Sequence, residues 1–225
     1  MPEPRPPTLP QSLTGADHTW LADDFEWRGI DVSHDFSTQR ASNGDISGCR
    51  VTGARFVGAD LDGVALIDTV IHDTDLSGAV LSGAVLRRVE LAGCRLSGID
   101  LGGARLEDVR LTSCRLDGAN LRMVRTARLW IDGCDLRGTD LYEAQLEEAT
   151  LFDCDLTGCQ LDRADLTGAQ LQGSRLDDIT GHARITGAVI DTTQLIPLGQ
   201  WLIRTAGVVV DDDRDRDEPG SRPGS

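Results

Sequence analysis

From Ile46 to Leu176 an apolar residue stands at nearly every fifth position, as in Leu76, Leu81, Leu86, Leu91 and Leu96. Of these 27 positions 21 are leucine, and only Thr126 is polar. Two residues before each stands a mostly small or β-branched residue, such as Ala54, Val64, Thr74 or Cys94. Two residues after each stands a turn former, glycine in 15 of the 27 repeats and aspartate in five more. A helix turns about 100° per residue, so this spacing drifts by about 140° per repeat and scatters the leucines around every side. In one straight strand, where side chains alternate faces, an odd repeat sends successive leucines to opposite sides. The pattern that keeps them together is a short extended piece with two inward positions two residues apart, followed by a bend. Each repeat is then one side of a coil, and stacked coils pair their backbones.

The runs Ala59-Asp60-Leu61-Asp62-Gly63, Ala119-Asn120-Leu121-Arg122-Met123 and Ala164-Asp165-Leu166-Thr167-Gly168 resemble the A(D/N)LxX unit of pentapeptide repeat proteins. The resemblance covers residues 46–178 without a break in register. It implies an all-β fold, a right-handed quadrilateral β-helix with four repeats per coil, a closure that the periodicity alone does not supply.

At the N-terminal end Trp27 and Val32 hold the central spacing, with Phe25 and Ile30 two residues before them, and the phase slips by one residue at Phe36. A second slip follows Leu176, after which Ile185, Ile190 and Leu195 resume the spacing. Residues 193–206 change character, with Leu195, Leu198, Trp201 or Leu202 and Ala206 at helical intervals, and predict a helix capping the last coil. The chain therefore divides into a flexible segment (1–24), the β-helix (25–192), a capping and dimerisation segment (193–209) and a disordered acidic tail (210–225). Related proteins often pair through their C-terminal ends, which implies a homodimer through this segment.

The chain has 225 residues with a formal net charge of -15, 4% aromatics and no lysine. No basic stretch is present to grip a phosphate backbone, so direct nucleic-acid binding is not expected. No apolar run is long enough to cross a membrane, and the proline-rich start does not read as an export signal, so a cytoplasmic protein is expected. All six cysteines (Cys49, Cys94, Cys114, Cys134, Cys154, Cys159) fall at the small inward position. Four of them are twenty residues apart and stack as a column about 4.8 Å per coil, a line rather than a tetrahedron, so they read as buried free thiols and not as a metal site. His18, His34, His72 and His182 are scattered, and no nucleophile elbow or phosphate loop occurs. No cofactor and no enzymatic activity are expected.

The functional reading is a protein-interaction rod with an unidentified partner. Trp130 and Phe152 point outward on one side of successive coils, near the irregular stretch where Met123 occupies a corner, Thr126 a leucine slot and Leu129 a small slot. These aromatics, with Met123, form one candidate partner surface. An acidic strip on the opposite side holds Asp60, Asp62, Asp100, Asp140, Tyr142, Glu143 and Asp162. One branch of the family, the quinolone-resistance proteins, resembles B-DNA and binds DNA gyrase, which makes a gyrase-binding DNA mimic the alternative reading. The repeats from Asp45 to Asp178, however, hold 14 arginines among 23 acids, well short of the unbroken negative charge of a duplex.

Overall fold

The computed structural model describes residues 3–15 and 21–209. Ten strands follow in chain order: β1 (Thr14–Gly15), β2 (Glu26–Arg28), β3 (Ile30–Val32), β4 (Asp45–Ser47), β5 (Arg50–Thr52), β6 (Ala65–His72), β7 (Val85–Ala92), β8 (Arg105–Thr112), β9 (Arg125–Asp132) and β10 (Thr150–Phe152). A 3-10 turn at Thr192–Gln194 leads into the helix α1 (Leu195–Thr205). All strand pairs are parallel, and from β4 onward the register advances by 20 residues, as in Leu66↔Leu86 and Leu86↔Leu106. With a bend every five residues, that offset makes a four-sided coil, and about seven such turns stack into a β-solenoid. The first side carries Leu61, Leu81 and Leu101, the second Leu66 and Leu86, the third Ile71 and Leu91, the fourth Leu76 and Leu96.

The two slips in phase are absorbed as 19-residue steps, Asp31↔Arg50 at one end and Asp165↔Arg184 at the other. Every residue two after a leucine from Gly48 to Asp178 has a φ between 48° and 75°; fifteen are glycine and twelve are not. The bend itself therefore demands the left-handed region, and the non-glycine corners carry some strain. The leucine columns close on a narrow apolar void of about 60 Å³ along the axis. Thr126 is only half-buried in its leucine slot, but Leu129 is buried and lines that axial void beside Leu106 and Leu146. One undersized and one oversized residue thus offset each other.

Aromatic side chains fill the N-terminal coil: Trp27 lies 4.9 Å from Phe25 and 5.2 Å from Phe36, and Phe36 stacks on Phe56 at 5.0 Å. At the other end Trp201 of α1 is 2% exposed and its indole N–H donates to the Gly181 carbonyl at 2.9 Å. The helix forms where the sequence places it: Leu198 (half-buried) and Trp201 face the coil as expected, whereas Leu195 and Ala206 are exposed, as is Leu202, the alternative to Trp201. The N-terminal segment also differs from its expectation as a flexible lead-in. Residues 3–15 lie along the outside of the solenoid, tied to it by hydrogen bonds to residues as distant as Asp108. The acidic tail, residues 210–225, lies outside the described residues.

Candidate functional site

The strands β9 and β10 place Trp130 and Phe152 on the third side, where Trp130 pairs with Arg110 below and Thr150 above. The two rings meet edge to face at 5.4 Å, and the Arg110 guanidinium lies 4.8 Å over the indole. The Trp130 indole N–H is buried and has no acceptor among the described residues, in contrast to that of the cap residue Trp201. Met123 is not part of this pair. It sits 50% exposed at the corner between the first and second sides, beside Arg125, Glu143 and Arg163.

The acidic strip lies on the first side as expected, but its carboxylates are largely engaged. Asp100 and Asp140 each accept the backbone N–H two residues on, at Gly102 (2.8 Å) and Tyr142 (2.9 Å). The same Asx bond recurs at Asp75, Asp155 and Asp165, so the acidic position of the repeat braces its own strand. Arg122 pairs with Asp140 at 2.9 Å and covers the Tyr142 ring at 4.2 Å; Arg163 pairs with Glu143 at 2.8 Å. The Arg163 guanidinium and the Tyr142 hydroxyl hold the Glu143 carboxyl below its ordinary range. Among the described residues Asp60 pairs only with Arg40, at 3.9 Å. Asp62 and Asp162 share the side.

The cysteine column follows the corner between the third and fourth sides. Other corners close with an N–H to C=O bond, such as Ala79 to Leu76 at 3.0 Å. Here side chains take over: the Cys114 N–H donates to Cys134 Sγ at 3.3 Å, the Cys154 N–H to Ser174 Oγ at 2.9 Å, and the thiols of Cys94, Cys114 and Cys154 reach back to a carbonyl 23 residues earlier (Ile71, Leu91 and Ile131), while that of Cys134 bonds the Asp132 carbonyl. Gln194 ends the column, its amide donating to Leu171 and Ser174 carbonyls. The thiols are thus hydrogen-bonding braces as well as small apolar fillers. Burial pushes the Cys154 thiol up to about 11 and Cys159 up to about 12. No three metal-ligating side chains converge among the described residues.

A fourth feature escaped the sequence reading. At the corner between the second and third sides, Asp68, Arg88, Asp108 and Arg128 alternate in sign, one per coil. Arg88 grips Asp68 with two nitrogens, and Arg128 grips Asp108 in the same way while also reaching Glu107 at 2.8 Å. The N-terminal arm lies over this ladder: Arg5 donates its backbone N–H (3.0 Å) and Nε (2.8 Å) to Asp108, and the Thr8 N–H donates to Asp68 at 3.0 Å.

Models of pentapeptide repeats match residues 45–83 and 84–122, and a pentapeptide repeat region model matches residues 104–180. The chain is a pentapeptide repeat protein. No curated protein sequence matches it significantly. Among solved structures, a trypsin-treated variant of QnrB1, described as a plasmid-mediated fluoroquinolone resistance protein, is 17% identical with a TM-score of 0.50, covering 84% of this chain and 99% of that one. A second trypsin-treated QnrB1 variant gives 18% identity and a TM-score of 0.50, covering 85% and 100%. HetL, a cyanobacterial pentapeptide repeat protein from Nostoc involved in heterocyst differentiation regulation, is 22% identical with a TM-score of 0.31, covering 74% and 87%. The two QnrB1 likenesses support the solenoid fold. Among the described residues no helix is long and apolar enough to cross a membrane.

Proposed function

We propose that this chain is a non-enzymatic, cytoplasmic rod that binds another protein, with Trp130 and Phe152 as its anchor. One observation carries the reading: two large, partly exposed aromatics meet edge to face on the outer third side of the rod. Partly exposed aromatics of this kind contribute most of the energy of an interface when a partner desolvates them. The test is capture of a partner from the native host by the intact rod and by a Trp130→Ser, Phe152→Ser double variant. Loss of one specific partner with an unchanged melting temperature supports the anchor; undiminished capture removes it.

A gyrase-binding DNA mimic is the second reading, favoured by the net charge of -15 and by the fold shared with QnrB1. The arginine pairing of the acidic strip weighs against it. Asp62 and Asp162 are the residues to reverse, because Asp100 and Asp140 brace the backbone. Wild-type protein that neither inhibits gyrase supercoiling nor protects the enzyme from a quinolone at micromolar concentration ends this reading; inhibition lost in Asp62→Arg, Asp162→Arg sustains it. Pairing of two rods through α1 belongs to the same proposal, resting on the exposed Leu195, Ile196, Leu202 and Ile203 of that helix.

A further inference from the structure

The Asp68 to Asp108 ladder is built before the arm reaches it. Each carboxylate is already oriented by a two-nitrogen arginine from the next coil, so the rod itself presents two fixed acceptors two coils apart. At about 4.8 Å per coil that separation is about 9.6 Å. The arm spans it with three residues, Arg5 to Thr8, and three residues of polyproline II rise about 9.3 Å. The match extends to hydrogen bonding. Arg5 and Thr8 supply the N–H groups that meet Asp108 and Asp68. The two residues between them, Pro6 and Pro7, have no N–H, and Arg88, the rung between the two aspartates, is itself a donor. The Asp108 side chain is fully enclosed between the Arg5 and Arg128 guanidiniums. Pro4 is buried, and Pro10 rests on the glycine corners Gly29 and Gly48, where an added Cβ would stand 3.4 Å and 3.1 Å from its ring.

We infer that this corner is a peptide-binding groove for extended Arg-Pro-Pro-x segments, occupied in cis by the chain's own N-terminus. Arginine provides the bidentate contact to a buried carboxylate that lysine cannot reproduce. The proline pair keeps the segment extended, which lowers the entropy lost on docking. The arm is a tethered competitor at roughly millimolar effective concentration, so a partner carrying such a segment engages the groove by displacing it. The Glu3 carboxylate at the far end of the arm contacts Arg110 at 3.4 Å, the same guanidinium that covers Trp130. Occupancy of the groove therefore ends beside the aromatic pair, although the inference does not depend on the partner proposed for that pair.

The experiment uses the full-length chain and a fluorescein-labelled peptide with the sequence of residues 1–12, read by fluorescence polarisation. Arg5→Glu turns the tethered arm away from Asp108 and Glu107, and this variant should bind the peptide at least tenfold more tightly than wild type. Changing the peptide's arginine to alanine, or adding Asp108→Asn to the Arg5→Glu chain, should weaken binding at least tenfold. Should Arg5→Glu fail to fold, judged by its melting curve, an Arg5→Ala, Thr8→Pro chain empties the groove without added charge. Equal binding to wild type and to the emptied chain, no binding to the emptied chain, or affinity indifferent to the peptide's arginine would each overturn the assignment.

Discussion

Met123 and Arg128 share one backbone conformation, with φ of 56° at both corners, and differ in what their side chains do. Met123 is half exposed, whereas Arg128 holds a carboxylate that has no other access to water. A left-handed φ costs an ordinary residue roughly 1–2 kcal/mol, which glycine avoids while gaining unfolded-state freedom. Met123→Gly should therefore stabilise the chain by about 0.5 kcal/mol, and Arg128→Gly should destabilise it by about 3 kcal/mol because it strips one partner from a buried pair. Denaturant midpoints at equal m-value decide both signs. The same pair sets a pH dependence. The Arg128 guanidinium first, then Arg5, hold the Asp108 carboxyl well below its usual range. Asp108 thus stays ionised in the folded state at a pH where the unfolded chain has begun to protonate. Its contribution is complete above about pH 4 and is lost as pH falls through the lowered folded value. Acid titration of the melting temperature should show that loss, and Asp108→Asn should flatten it.

The elements show which parts of the fold the sequence announces. Five-residue spacing reported the sides, the bends and the inward columns, because each repeat buries the same two positions and every inward leucine has its own coil's geometry to satisfy. The cysteine column was legible in place but not in role. Nothing in Cys114 or Cys134 alone reveals that their corner lacks the usual N–H to C=O bond, which only the third dimension shows. Cys134→Ala removes the acceptor of the Cys114 N–H and should cost about 1–2 kcal/mol, whereas Cys134→Ser, the residue already present at position 174 of the same column, should cost less. An alanine variant as stable as the serine one would return the column to simple space filling. The buried thiols should also react slowly in native protein, and all six should titrate after denaturation. In α1 the amphipathic period was read correctly, and of the alternatives Trp201 and Leu202 it is Trp201 that covers the coil end with Leu198, while Leu195 is exposed. The outer edge this leaves gives a direct test of pairing: Ile196→Asp with Ile203→Asp leaves Trp201 seated, so a dimer measured by sedimentation should become a monomer at unchanged melting temperature. The N-terminal arm was the least legible element. Proline-rich composition carries no burial period, and its partners lie 60 and 103 residues away. The available signal was relational, an Arg-Pro-Pro-Thr run set against aspartates 40 residues apart on one corner.

At the scale of the whole molecule the rod is a one-dimensional stack, in which each coil beyond the reach of the N-terminal arm is stabilised only by its neighbours and the two ends are therefore the weak points. Both ends are closed by aromatic side chains, but not equally. The N-terminal coil has four rings packed together and an arm that binds the outside of the next coils, reaching as far as Asp108. The C-terminal coil has Trp201, Gln194 and a single helix, and its last inward residues, Ala183, Ile185 and Ile190, are only partly buried. Unfolding should accordingly begin at the C-terminal end. Trp201→Ala removes a side chain that is 2% exposed together with its bond to Gly181. Truncating a buried tryptophan costs roughly 3–5 kcal/mol, more than a terminal coil of this kind can absorb. Because coupling is only between neighbours, the loss should stay local: hydrogen exchange should accelerate first across residues 165–190 while strands β7 and β8 keep their protection. Uniform acceleration along the rod would show instead that the coils open as one cooperative unit, and faster exchange at residues 25–56 would place the weaker end at the aromatic plug.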